Sequence, residues 1–261
     1  MPSAAPLVLG VDLDGVCADY EGAFRGSVAR QFGRPLDSMP PQTIMDAYSQ
    51  WGLSFEAFEE AHRRAVLEDR IFRHMAPLPG VSDALWRLSD AGVWIRIITH
   101  RLIFNWAHET SAADTAAWLD AHRIPYRDLC FIGDKPNVGA DLYVDDSPTN
   151  IVSLRAAGRS AIVFDQPYNR HLPAPRADTW DAVVELVLEE LRARSRQLSL
   201  PWSELGTDEG TSQDTTDAET AEDAAGEDAD AAADDAADED ADVAAGPAAA
   251  DAADELSTGG R

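Results

Sequence analysis

The sequence predicts an α/β protein: a doubly wound, Rossmann-like parallel sheet with a small helical cap inserted after the first strand and a disordered acidic tail at the C-terminus. Three observations carry this. Short apolar runs alternate with stretches of helical periodicity through residues 1–206. Three of those runs end in polar or charged side chains, and residues 20–75 interrupt the alternation without a clear strand. The expected organisation is a core of residues 1–19 and 76–206, a cap of 20–75 and a tail of 207–261.

The first run, Leu7-Val-Leu-Gly-Val11, is rich in branched apolar residues and fits a central strand buried on both faces. In the insertion, helices are expected at 20–33, 42–51 and 54–69. The last is opened by Ser54 and carries Phe55, Phe58, Ala61 and Ala65 on one face. A helix over 82–91 follows Pro79-Gly80 and is closed by Gly92, and a strand from Val93 leads to Thr99. Residues 109–122 have helical spacing around Trp118 and Leu119. Leu129-Cys-Phe-Ile132 is a short strand running into a loop at Lys135, and Ala140 to Val144 is another strand. Ser147-Pro148 suits the cap and first turn of a helix that Gly158 ends. Ala161 to Phe164 is the final strand, and Asp178 is placed to cap a last helix reaching about Arg194.

The formal charge of −26 divides unevenly. From Thr207 onward nineteen acids face the single Arg261, so −18 belongs to the tail and −8 to residues 1–206. A segment of Ala, Asp, Glu and Gly without aromatic residues cannot bury enough apolar surface to offset chain entropy, so disorder is expected there. Such acidity argues against a nucleic acid polymer as partner. No run approaches the length of a membrane span, and no basic region precedes the first apolar run. Cys17 and Cys130 lie within or beside strand-like segments and read as buried thiols of a reducing, cytoplasmic compartment. No Cys/His cluster suggests zinc.

The chemistry concentrates at strand ends. Asp12 and Asp14, one residue apart, point to the same side at the carboxyl end of the first strand, where open α/β sheets place their sites. Two acids so close repel unless a cation lies between them, and a hard divalent ion such as Mg2+ suits oxygen ligands. Thr99, His100 and Arg101 follow the second strand. The chain's one lysine, Lys135, precedes the acidic pair Asp145-Asp146 by ten residues.

An Asp-x-Asp, a Thr, a Lys and an acidic pair, in this order, resemble the four motifs of the haloacid dehalogenase superfamily of phosphotransferases. Asp-Leu-Asp-Gly-Val16, Pro77-Leu-Pro-Gly-Val81, Gly133-Asp-Lys135, Val144-Asp-Asp-Ser-Pro-Thr-Asn150-Ile and Phe164-Asp-Gln-Pro-Tyr-Asn169 narrow the likeness to the cytosolic-type 5'(3')-deoxyribonucleotidases and their bacterial relatives. The resemblance implies an Mg2+-dependent phosphomonoesterase acting on nucleoside monophosphates through an aspartyl-phosphate. In that scheme Asp12 is the nucleophile and Asp14 the acid and base. Thr99, Lys135 and the Leu13 amide hold phosphoryl oxygens. Asp12, the Asp14 carbonyl and Asp146 hold the metal, with Asp145 aligning Lys135 or a metal-shell water. Cap aromatics such as Phe24, Tyr48, Trp51 and Phe72 either stack on a base or pack the cap helices together. Arg101 is either a phosphate contact or a surface or cap contact, and with His100 it departs from the small residues that follow the Thr in this branch.

Two other substrate classes stay open: a sugar phosphate or other small ester hydrolysed by the same machinery, and a non-catalytic binding module whose tail meets a basic partner. A homodimer is compatible with the sequence. The presence of all four motifs argues against the binding module, and Asp14 argues against a dehalogenase. Truncation after Leu205 is expected to leave turnover and thermal unfolding unchanged; a large loss of activity would show that the tail takes part in the reaction.

Overall fold

The computed structural model describes residues 5–45, 47–103 and 106–198. The tail expected over 207–261 lies outside the described residues. Six strands form one parallel sheet: β1 (Val8–Val11), β2 (Trp94–Thr99), β3 (Asp128–Phe131), β4 (Leu142–Asp145), β5 (Ser160–Phe164) and β6 (Arg176–Ala177). Their spatial order is β3-β2-β1-β4-β5-β6. β1 therefore lies between β2 and β4, and the chain reverses its direction of travel across the sheet at that point. Ligands bind outside the carboxyl ends of the strands at such a switch point.

The strands alternate cleanly between two apolar layers. Leu9, Val11, Ile95, Ile97, Leu142, Val144, Ile162 and Phe164 face one layer. Ile98, Tyr143, Ala161 and Val163 face the other. The first layer is completed by α5 (Val81–Asp90), α6 (His108–Ala121) and α8 (Trp180–Leu198), and the second by α7 (Pro148–Ala156). Gly10 belongs to the second face, where a Cβ would meet the side chains of Ile98 at 2.7 Å and Tyr143 at 2.9 Å. A larger residue there would force this layer apart.

The insertion is helical: α1 (Tyr20–Gln31), α2 (Ala47–Gln50), α3 (Phe55–Leu67) and α4 (Ile71–His74). Asp19 accepts from the Gly22 amide to open α1, and Ser54 accepts from Ala57 to open α3. α2 is a single turn, shorter than the helix expected over 42–51, because the Gln50 side chain folds back. Its carbonyl accepts from the Thr43 amide at 3.0 Å and its amide donates to the Pro41 carbonyl. Phe55 lies exposed rather than on the buried face of α3, which is formed by Ala61, His62, Ala65 and Val66. One-turn α4 and two-residue β6 are too short to show a period in sequence. At the last helix it is Thr179, not Asp178, whose side chain accepts from the Ala182 amide. Ser147 precedes α7 without a side-chain capping bond, its own amide donating instead to Asp145.

Of the two readings open for the cap aromatics, packing holds for Phe24, which is only 2% exposed. It is packed against Tyr20, Trp51, Phe58 and His62. Trp51 is 5% exposed and its indole donates to the Pro40 carbonyl. Both therefore form the interior of the cap, and half-buried Tyr48 packs at its edge against Phe55 and Phe58. Aromatic residues at helical spacing found their burial in each other, which is the larger energy term for rings of this size.

His62 lies in the midst of these rings, 7% exposed, and burial lowers its pKa to about 4 although Asp14 pulls it upward. The fold thus holds His62 neutral, whereas the unfolded chain protonates it near the ordinary value of 6.5. Its contribution to stability is intact above about pH 6.5 and is lost as the pH falls toward 4, by on the order of 3 kcal/mol in total. Urea unfolding at pH 7 and pH 4.5, in EDTA, is expected to show a steeper loss for wild type than for His62→Phe. Parallel losses in the two proteins would contradict this assignment.

Candidate active site

Parallel β1 ends by handing Asp12 to the site while the Asp12 amide still donates to the Val144 carbonyl of β4. The chain then turns tightly: Gly15 takes a φ of +80°, and the Leu13 carbonyl receives the amides of Cys17 and Ala18 at 2.8 Å. Leu13 has its side chain sealed in the core. β2 delivers Thr99 to the same end, β4 delivers Asp145 and Asp146, and the loop after β3 delivers Lys135. Of the residues expected to form the site, Asp12, Lys135, Asp145 and Asp146 converge directly.

Lys135, 2% exposed, is the electrostatic hinge of this cluster. Its Nζ lies 2.6 Å from Asp145 and 2.9 Å from Asp12. Burial alone would lower the ammonium pKa, but Asp12 and Asp145 outweigh it and hold Lys135 charged, above the ordinary lysine range. Asp12 is pushed up to about 7, first by burial, then by the charges of Asp145 and Asp14, against the pull of Lys135. Asp146 is raised well above the carboxylate range by burial and by Asp12 and Asp145. Oxygens of Asp12, Asp145 and Asp146 lie within 4.8 Å of one another. One ammonium cannot neutralise three buried carboxylates, so the set is short of positive charge, and its all-oxygen chemistry fits a hard divalent cation.

The two acids of the pair are used differently. Asp145 accepts from Lys135, from the Ser147 amide and from Asn150. Asp146 accepts from the Tyr168 hydroxyl. Thr99 is buried and its Oγ1 has no hydrogen-bond partner among the described residues. A buried hydroxyl in that condition costs stability unless something else receives its bond.

Arg101 is neither at the surface nor open to a phosphate. Its side chain is buried, with Nη2 and Nε bonded to the two oxygens of Asp14 at 2.6 and 2.9 Å. Nη1 donates to Thr115 at 3.0 Å, and the guanidinium stacks over Phe72 of the cap at 4.5 Å. Every arm of the guanidinium is occupied by protein, so Arg101 positions Asp14 and ties it to the cap. Arginine suits this because its rigid fork matches a carboxylate bidentately.

Sequence reasoning gave no role to Asn150, Tyr168 or Asn169, although the quoted motifs contain all three. It also missed that Arg101 faces inward. The available signal was the charge balance at the strand ends: Asp14 adds an acid that Lys135 does not reach, so a second cation was required nearby.

A family model described as 5' nucleotidase, deoxy (pyrimidine), cytosolic type C protein matches residues 6–196. The chain belongs to this nucleotidase family. Among its relatives, a protein of Chlorobaculum tepidum provisionally named a 5'(3')-deoxyribonucleotidase is 43% identical over 182 residues, covering 69% of this chain and 90% of that protein. The mitochondrial 5'(3')-deoxyribonucleotidase of Mus musculus is 26% identical over 212 residues, covering 74% of this chain and 90% of its own. A haloacid dehalogenase-like hydrolase of Streptococcus pneumoniae is similar at a TM-score of 0.49 and 15% identity, covering 70% of this chain and 98% of that one. As a member of the nucleotidase family the chain is a phosphomonoesterase hydrolase, and the buried Asp12, Asp145 and Asp146 cluster fits that chemistry. Among the described residues no helix is long and apolar enough to cross a membrane.

Lys135→Met is expected to destabilise the metal-free nucleotidase by roughly 3 kcal/mol in urea unfolding, because it strands buried carboxylates without their cation. A loss below about 1 kcal/mol would mean that the acids do not depend on Lys135.

Proposed function

We propose that this nucleotidase releases phosphate from nucleoside monophosphates, deoxynucleotides above all, through an aspartyl-phosphate on Asp12 and with Mg2+ as its cofactor. The observation that carries the reading is the convergence of Asp12, Lys135, Asp145 and Asp146 at the sheet end to which β2 delivers Thr99, whose buried hydroxyl has no partner among the described residues. A carboxylate paired with an ammonium, with a hydroxyl donor delivered to the same end of the sheet, is arranged to receive a phosphoryl group.

Asp12 attacks phosphorus, and the bond to the ester oxygen breaks. Asp14 serves as the acid for that departing oxygen only after one of its two oxygens leaves the Arg101 fork. In the second step Asp14 takes a proton from water, whose oxygen attacks phosphorus and returns Asp12 as a carboxylate. Thr99 Oγ1, the Lys135 ammonium and the Leu13 amide hold the phosphoryl oxygens through both steps. Asp12, Asp146 and the Asp14 carbonyl would hold Mg2+, which when bound neutralises phosphate charge. Asp145 is committed to Lys135, Ser147 and Asn150, which leaves Asp146 as the better direct ligand.

Base recognition passes from Phe24 and Trp51 to Tyr20 and Trp106. Both are half-buried, with ring centroids 6.1 and 5.8 Å from that of His62. Tyr20 also lies close enough to Asp14 and Arg101 to feel both charges. The family's description as cytosolic and the two free cysteines agree with a cytoplasmic setting.

Phosphate release from a panel of deoxynucleoside, ribonucleoside, sugar and aryl monophosphates, with and without Mg2+, tests the reading. Turnover should require Mg2+, be strongest on deoxynucleotides, and fall by at least about a thousandfold in Asp12→Asn, with the fold intact by circular dichroism. Turnover confined to sugar or aryl esters would move the substrate, and normal activity in Asp12→Asn would remove the nucleophile.

A further inference from the structure

Behind the acidic pair lies a bracket of uncharged polar groups that takes no part in the reaction just described. The segment after β5 makes one short turn over residues 167–169 and points its side chains back toward the ends of β1 and β4. Gln166 Nε2 donates to the Gly15 carbonyl at 2.7 Å. Asn169, fully buried, donates from Nδ2 to the backbone carbonyls of Asp146 and Phe164, both at 2.8 Å. Its Oδ1 accepts from the Gln166 amide and from Arg176 at 3.0 Å. Between these two anchors the Tyr168 hydroxyl donates to Oδ2 of Asp146. Gly15 closes the bracket from the other side: a Cβ there would run into the Asp146 carboxylate and lie 3.2 Å from the Tyr168 oxygen.

A carboxylate on its own turns freely about its last bond, since the terminal torsion of Asp is broad. Here the backbone of Asp146 is pinned by Asn169 and one of its two oxygens is taken by Tyr168. Orientation is fixed by a neutral donor, so the negative charge that a cation needs is left in place. Lys135 does not do this for Asp146, being engaged by Asp12 and Asp145.

We propose that Tyr168 is a positioning residue for Asp146, selecting by its hydrogen bond the carboxylate oxygen that is presented to the divalent cation, with Gln166 and Asn169 holding the tyrosine in place. The inference rests on the reading of Asp146 as a metal ligand given above. Groups that bond to the ligands of a metal set their orientation, and losing one typically weakens binding about 10- to 100-fold.

The test counts Mn2+ bound by the full chain after removal of metal with EDTA, following free Mn2+ by electron paramagnetic resonance. Tyr168→Phe should raise the dissociation constant for Mn2+ about 10- to 100-fold, with melting in EDTA and kcat at saturating Mg2+ near the wild-type values. An unchanged dissociation constant overturns the proposal, as does a loss of kcat at saturating metal without any change in affinity. Asp146→Asn serves as the control: if it binds Mn2+ like wild type, the metal-site reading itself is wrong. If it loses Mn2+ while Tyr168→Phe does not, only the role of Tyr168 fails. Should Tyr168→Phe not fold, Gln166→Leu, which releases the bracket from Gly15, decides by the same titration: weaker binding supports the bracket and unchanged binding overturns it.

Discussion

The site depends on a shortage of positive charge. Asp12, Asp14, Asp145 and Asp146 are brought together by the ends of two adjacent strands, and the cations paired with them are Lys135 and Arg101. Taking carboxylates out of water is expensive unless cations and donors replace the lost hydration. The two cations divide the task, Lys135 joining Asp12 to Asp145 and Arg101 enclosing Asp14. Asp12 and Asp146 are raised toward protonation, first by burial and then by the neighbouring carboxylates. The buried cluster of Asp12, Asp145 and Asp146 therefore fits a ligand that brings its own positive charge.

Sheet order makes this arrangement attainable. With β1 between β2 and β4, side chains from three neighbouring strands reach one spot without long loops. The rigid backbone ladder fixes their separations: the Asp12 amide is still bonded to β4 when its side chain enters the site. Layers of Leu, Val and Ile on both faces keep the strands in register, and Gly10 lets the second layer close over β1.

Much of this was legible in the sequence because it rests on local rules. Alternating apolar runs gave five of the six strands, and the carboxylates at their ends gave the cluster. Lys135 stood out as the chain's one lysine. What failed to show was decided by tertiary contact. Phe24 and Trp51 carry nothing local to say whether a ring is spent on a neighbouring helix or left for a ligand. Arg101 looks like a surface residue until Phe72 of the insertion and Thr115 of α6 enclose it. The turn over 167–169 is too short to have a period, yet its polar groups reach the acidic pair. Thr179 and Asp178 are equally good caps by type, and only the path of the backbone chooses between them.

The two chain crossings into the cap lie side by side. The Asp19 amide donates to the Ala76 carbonyl at 2.9 Å and the Leu78 amide to the Cys17 carbonyl at 2.7 Å. The insertion thus leaves and re-enters the core through a single doorway. Closing that doorway carries an entropy cost that rises only slowly with the length of chain looped out. The length of the insertion is in this sense weakly constrained by its closure. The cap is nonetheless tied to the core: Phe72 and Met75 contact Arg101, and Arg70 pairs with Asp114 of α6. Within this architecture, substrate preference is free to drift in the cap while the chemistry beneath it stays fixed.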